Sequence, residues 1–368
     1  MAKPLSNDAG ESKTAMNKFR IRHLGRMRYR SVFSATSLIV LLLFAWSADA
    51  GESPSPLSLE TQIPMPDVKG RIDHLSVDLK GRRLFVAAVE NHTVEIIDLK
   101  SGKDVHTLTD LAEPQGVFYE PSTNRLFVAC GDGVVKIFDG TTFRVLTSVR
   151  FTDDADNIRY DQRDHRVIVG YAGAKQLRKR EEGNGGLGFL DSNGKRTGGV
   201  VIDAHPESFQ LEKSGSRVFV NVPDRKEIEV IDLVGRSTVV RWPIASEENN
   251  FPMALDESHK RLLVGCWAPP RLLVFDTDTG KQTGSAEIAG KTDDLFYDAD
   301  RARVYVLTSP GFLEVFQQND PDHYDQLARY PTPPGTQTGL FVPQWGKLFA
   351  AVCRQGDQSA EIRAYQAH

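Results

Sequence analysis

The sequence predicts an all-β chain: a seven-bladed β-propeller of four-stranded antiparallel blades, its ring closed by an N-terminal strand that completes the last blade. Three observations lead there. A basic-anchored apolar segment recurs seven times, each repeat unit reads as four strands, and the last unit stops one strand short.

The recurring segment begins as Arg83-Leu-Phe-Val-Ala-Ala88. It returns as Arg125-Leu-Phe-Val-Ala-Cys130, Arg166-Val-Ile-Val-Gly-Tyr171 and Arg217-Val-Phe-Val-Asn-Val222. The remaining copies are Arg261-Leu-Leu-Val-Gly-Cys266, Arg303-Val-Tyr-Val-Leu-Thr308 and Lys347-Leu-Phe-Ala-Ala-Val352. The steps between anchors are 42, 41, 51, 44, 42 and 44 residues. A period in the forties with several strands per unit marks a propeller rather than a helical solenoid.

Within a unit the first strand ends in a hydrophobic-Asp signal, as in His74-Leu-Ser-Val-Asp78 and Leu295-Phe-Tyr-Asp298. A polar turn such as Leu79-Lys-Gly-Arg82 follows, and the anchor segment, rich in β-branched and aromatic residues, is the second strand. The third strand also ends in Asp, as in Val94-Glu-Ile-Ile-Asp98 and Leu272-Leu-Val-Phe-Asp276. An Asp carboxylate there accepts backbone N–H bonds two residues on, and the glycine of Ser101-Gly-Lys103 supplies a tight turn. A short fourth strand follows, for example Asp104-Val-His-Thr-Leu108. The last unit ends after Ile362-Arg-Ala-Tyr365 with no fourth strand, and Leu57-Ser-Leu-Glu-Thr-Gln-Ile63 is expected to supply it. Closure removes the two exposed flanks of an open row of blades.

The stretch Arg83-Leu-Phe-Val-Ala-Ala-Val-Glu-Asn-His-Thr-Val-Glu-Ile-Ile-Asp-Leu-Lys-Ser-Gly-Lys103 resembles a YVTN-type propeller repeat. The arrangement over residues 56–368 is similar to the YncE-like exported propellers. That resemblance implies the fold and an exported location, and DNA binding is a property reported in that family. The Trp-Asp and Gly-His signatures of WD propellers are missing at the matching strand ends.

Residues 1–50 read as a leader. Arg26, Arg28 and Arg30 precede the apolar run Leu38–Trp46, and Ala48-Asp-Ala50 follows it. A basic region, a short apolar core and an Ala-x-Ala site make a secretory signal, and the run falls short of the roughly 20 residues of a membrane span. Met27 is the expected true start, because Met27-Arg-Tyr-Arg30 is itself a conventional basic region. The expected location is periplasmic or secreted, with residues 51–368 one domain and a monomer. Cleavage removes eight basic and three acidic residues, leaving 37 and 46 and a net charge of −9. That charge counts against a nucleic-acid partner. Cys130 and Cys266 occupy the same second-strand position in blades two and five, and Cys353 lies one residue beyond it in blade seven. Such positions are too far apart for a disulfide, so all three are expected buried and unpaired.

Chain direction puts the loops leading into the first strands on one face, with the loops joining second and third strands. That face carries the polar residues expected to bind a ligand at the channel mouth: Asp73, His74, Gln115, Asp156, Asn157, His205, Glu207, Asn250, Asp293 and Asp294. Loops on rigid scaffolds commonly carry function. Within this set His74, Asp156, Glu207 and Asp293 are the expected ligands if a divalent cation is the cofactor, with oxygen donors suiting Ca²⁺ and the histidine suiting Zn²⁺. The long blade-three step places an insertion at Lys175–Gly186 on the same face, where Arg178, Lys179 and Arg180 would form a lid or rim with Trp267 of blade five.

No Gly-x-Ser-x-Gly elbow, phosphate loop or Cys-x-x-Cys pair is present, and no catalytic residue is assigned. The expected function is an exported, non-enzymatic propeller binding a small ligand, cation or protein partner through the polar face. The alternatives are a metal-dependent, lactonase-like hydrolase at the channel mouth and, from the resemblance, a nucleic-acid binder.

Overall fold

A computed structural model describes residues 55–173, 185–202 and 204–368. The expected leader and the three insertion residues Arg178, Lys179 and Arg180 lie outside them. The described residues form seven four-stranded antiparallel sheets. Blade one is typical: Leu75–Asp78 innermost, then Arg83–Ala88, Thr93–Asp98 and Lys103–Leu108. Blade seven takes Thr338–Val342, Lys347–Val352 and Ala360–Ala367 from the end of the chain and Leu57–Met65 from its beginning. The expected ring closure is present.

The closing strand shows how register serves closure. It pairs antiparallel with Ala360–Ala367, with a register shift between Leu59 and Thr61. A one-residue shift exchanges the two faces of a strand. Leu57 accordingly packs with Tyr305 and Leu348 between blades six and seven. Ile63 and Met65 pack with Leu84 and Phe349 between blades seven and one. The core is a ring of such clusters, one for each pair of neighbouring blades, and Phe85 with Leu126 or Phe219 with Leu262 are typical members. The three free cysteines sit in these clusters, as expected. Burial pushes the Cys130 and Cys266 thiols up to about 12, so neither is a nucleophile at neutral pH.

The recurring arginine explains itself in three dimensions. Arg83 holds Asp78 of its own blade at 2.7 Å and donates to the Gly140 carbonyl of the next. Arg125 reaches the Ser192 carbonyl, and Arg217 the Thr277 carbonyl. Arg261 reaches the Asp322 carboxylate, and Arg303 the carbonyl of His368 in the closing blade. One guanidinium, with several donors in a rigid fork, can satisfy a turn carboxylate and clamp the neighbouring blade at once. These clamps lie at the far ends of the inner strands, on the face opposite the polar mouth.

Candidate functional site at the channel mouth

The lead-in to the inner strand is irregular in three blades. Register shifts fall between Pro114 and Val117, between Asp153, Ala155 and Ile158, and between Asn250 and Met253. Bulges re-aim side chains, so strict alternation does not decide which of these residues face the channel. Gly116 allows blade two to abut this irregular backbone, because a Cβ there would collide with the carbonyl oxygen of Asp156.

The result is a cavity of about 260 Å³. Asp73, His74, Gln115, Asp156, Asn157, His205, Glu207 and Asp293 all line it, as does Trp267. Two members of the expected set are elsewhere. Asn250 is fully buried and donates to Asn221 Oδ1 at 2.9 Å and to the Glu227 carbonyl at 3.0 Å, so it fastens blade five to blade four. Asp294 lines the central channel beneath the mouth and accepts the Gly339 N–H at 2.9 Å.

Several lining residues carry no signal in the sequence. Arg71 donates to Asp73 at 2.7 Å, and Gln115 donates to Asp154 at 2.8 Å. Phe251 stacks on Trp267 with ring centroids 3.8 Å apart, and the Lys291 ammonium sits 4.0 Å from the Trp267 ring. Trp267 also donates to the Thr292 carbonyl at 2.7 Å. It is therefore a fixed aromatic wall, which suits a binding surface.

His74 stands at the centre of the charge. Its Nδ1 lies 3.4 Å from Asp294, and its Nε2 lies 3.7 Å from Asp156 and 3.8 Å from Asp73. Burial works against its charged form, but the Asp294 and Asp73 charges outweigh burial and raise it to about 10. It is an imidazolium at neutral pH, with both ring nitrogens protonated. The carboxylates shift in the same sense. Burial raises Asp156 to about 6, opposed by His74 and reinforced by Asp73 and Asp154. Burial raises Asp293 to about 7, opposed by Lys291 and reinforced by Asp73 and Asp294. Burial and the charges of Asp156 and Asp293 hold Glu207 well above the usual carboxylate range.

Five carboxylates thus face the cavity against the cations of Arg71, His74 and Lys291. Three polar atoms of lining residues are buried without a hydrogen-bond partner: Asp156 Oδ1, Asn157 Oδ1 and His205 Nε2. Such atoms carry an uncompensated desolvation cost unless something else completes them. The residues expected to share a metal, His74, Asp156, Glu207 and Asp293, line one cavity but do not form a ligand shell. Among the described residues no three His, Cys, Asp or Glu side chains are grouped to hold a metal ion.

No family model matches the chain, and no curated protein matches it. Solved structures do. A chain in the crystal structure of a mitotic checkpoint complex aligns with a TM-score of 0.68 at 13% identity, covering 89% of this chain and 98% of that one. In all, 1819 solved chains match, a breadth that points to a shared architecture rather than a shared activity. What the likeness shows is the fold alone, which in this protein is a seven-bladed β-propeller.

Proposed function

We propose that the protein is an exported, non-enzymatic propeller that binds a small cationic ligand in the mouth cavity. The observation that carries this reading is the set of buried, unpartnered atoms on Asp156, Asn157 and His205 around one cavity. A ligand carrying an ammonium group supplies the N–H donors and the positive charge that the site lacks. The volume falls just below the roughly 300–1,000 Å³ typical of small-molecule sites, which favours a compact ligand over a polymer. The Phe251–Trp267 wall offers an apolar and cation-attracting surface beside the carboxylates.

Isothermal titration of the purified protein with short alkylamines tests the reading. Binding should strengthen from pH 5 to pH 8, as Asp156 and Asp293 ionise through about 6 and 7. An absence of amine binding across that range would overturn it. Stoichiometric metal by elemental mass spectrometry, together with turnover of lactone or ester probes, would put a metal-dependent hydrolase in its place. Salt-sensitive retention of DNA would favour the nucleic-acid reading.

A further inference from the structure

Below the mouth a second cavity of about 380 Å³ occupies the central channel, and His74 and Ser208 line both cavities. Its wall is mostly apolar, with Leu75, Val117, Ile158, Met253 and Leu340 among its residues. Its charged side chains are His74, Asp294 and Arg159, which stands on the inner strand of blade three. Its guanidinium donates to the neighbouring Ile158 carbonyl at 2.9 Å and to Ser208 Oγ at 3.4 Å, with Phe209 5.7 Å away. Among the described residues no carboxylate lies within ion-pair distance of it. The arginines of the opposite face differ: Arg83, Arg166, Arg217 and Arg261 each hold at least one. A guanidinium does not lose its charge in a protein, and its fork matches a carboxylate with two parallel hydrogen bonds.

The two cavities have opposite deficits. The mouth has carboxylates in excess and polar atoms without hydrogen-bond partners, whereas the channel has a guanidinium with donors to spare and no carboxylate within ion-pair distance of it, Asp294 being engaged by His74 and the Gly339 N–H. They meet at His74 and Ser208. From this juxtaposition we infer that the ligand is a small zwitterion, an amine-bearing carboxylic acid. Its ammonium is held by Asp156 and its neighbours at the mouth, and its carboxylate is held by Arg159 in the channel. The ammonium end rests on the function proposed above; the carboxylate end rests on Arg159 alone. The ligand then spans the His74–Ser208 waist, with the imidazolium and the hydroxyl beside its middle.

Titration calorimetry with the ω-amino acids from glycine to 6-aminohexanoate, each beside the alkylamine of the same length, tests the inference. At one chain length the amino acid should bind at least tenfold tighter than the amine. Arg159→Gln should erase that advantage, and Arg159→Lys, which cannot form the paired bonds, should keep only part of it. Excess acetate should compete with the amino acid and not with the amine in the unaltered protein, a measurement that requires no variant to fold. Equal affinity for amine and amino acid at every length, or an advantage that survives Arg159→Gln, would overturn the zwitterion and leave the amine site standing. If neither class binds, both proposals fall.

Discussion

The two faces of the propeller use the same residue types to opposite effect. On the far face the acidic side chains that end the inner strands of blades three and five, Asp161 and Asp256, have their partners in place. Asp161 is buried, which alone would raise it, yet the hydrogen bonds of Arg166 and the charge of Arg163 hold it below the usual carboxylate range. Asp256 is likewise buried and likewise held low by hydrogen bonds from Gln318, Ser258 and His259. At the mouth burial prevails, because five carboxylates share three cations and repel one another. A satisfied carboxylate stabilises the ring, whereas an unsatisfied one is tolerated only where something else gains by it.

Removing one member from each face should therefore change stability in opposite directions. Arg166→Ala takes from the buried Asp161 the guanidinium 2.9 Å away, leaving only Arg163 at 3.3 Å, and removes the stack 4.3 Å over Phe189. Breaking a buried pair in this way costs about 3–5 kcal/mol, and the denaturant midpoint should fall accordingly. Asp156→Asn should do the reverse. A carboxyl raised to about 6 is a folded-state proton site stronger than its unfolded counterpart, so its ionised form destabilises the fold above that pH. The amide should stabilise the protein by on the order of 1–3 kcal/mol at pH 8, leave it nearly unchanged at pH 4, and abolish amine binding. Destabilisation by Asp156→Asn at pH 8 would mean that the mouth, too, is a structural network.

The sequence carried the far face better than the mouth. The arginine anchor repeats because its partner turn repeats, so one-dimensional spacing reports a three-dimensional clamp. The mouth has no repeat, since each blade contributes a different residue. Asp73, His74, Asp156 and Glu207 were legible as polar residues leading into strands. Asn250 was misplaced because the irregular strand after it turns its amide toward Asn221. Nothing in Ile158-Arg-Tyr-Asp161 says that the Arg159 guanidinium lines the channel with no carboxylate at ion-pair distance. Lys291 and Phe251 acquire meaning only through Trp267, a contact between separate segments.

The pH profile sharpens the comparison with a smaller effect. His74 is raised above its unfolded value, so its contribution is fully present below about pH 6.5 and is lost as pH rises through about 10. Asp293 is also raised, so its contribution is present below about pH 4 and lost through about pH 7. Stability at the mouth should decline in two stages on the alkaline side. His74→Gln should flatten the stage between pH 6.5 and 10 and leave the earlier stage in place. Thermal melts across pH 4–10 resolve the two. An unchanged slope above pH 6.5 in the variant would place the imidazolium outside the charge network that holds it.

The smallest effect separates position from burial. Glu248 leads into the inner strand of blade five on the mouth face, close in sequence to Asn250, but it is about half exposed and pairs with the exposed Lys226. An exposed pair of this kind contributes little, because water and salt screen it and two long side chains lose freedom in making it. Glu248→Gln should shift the melting temperature by no more than about 1 °C and leave amine affinity within twofold. If it weakened binding as much as Asp156→Asn, the ligand would be answering to the summed field of the acidic rim. Its affinity would then fall steeply with added salt. If it does not, the distinguishing property of the mouth is a buried oxygen without a hydrogen bond, which Asp156 and Asn157 have and Glu248 lacks.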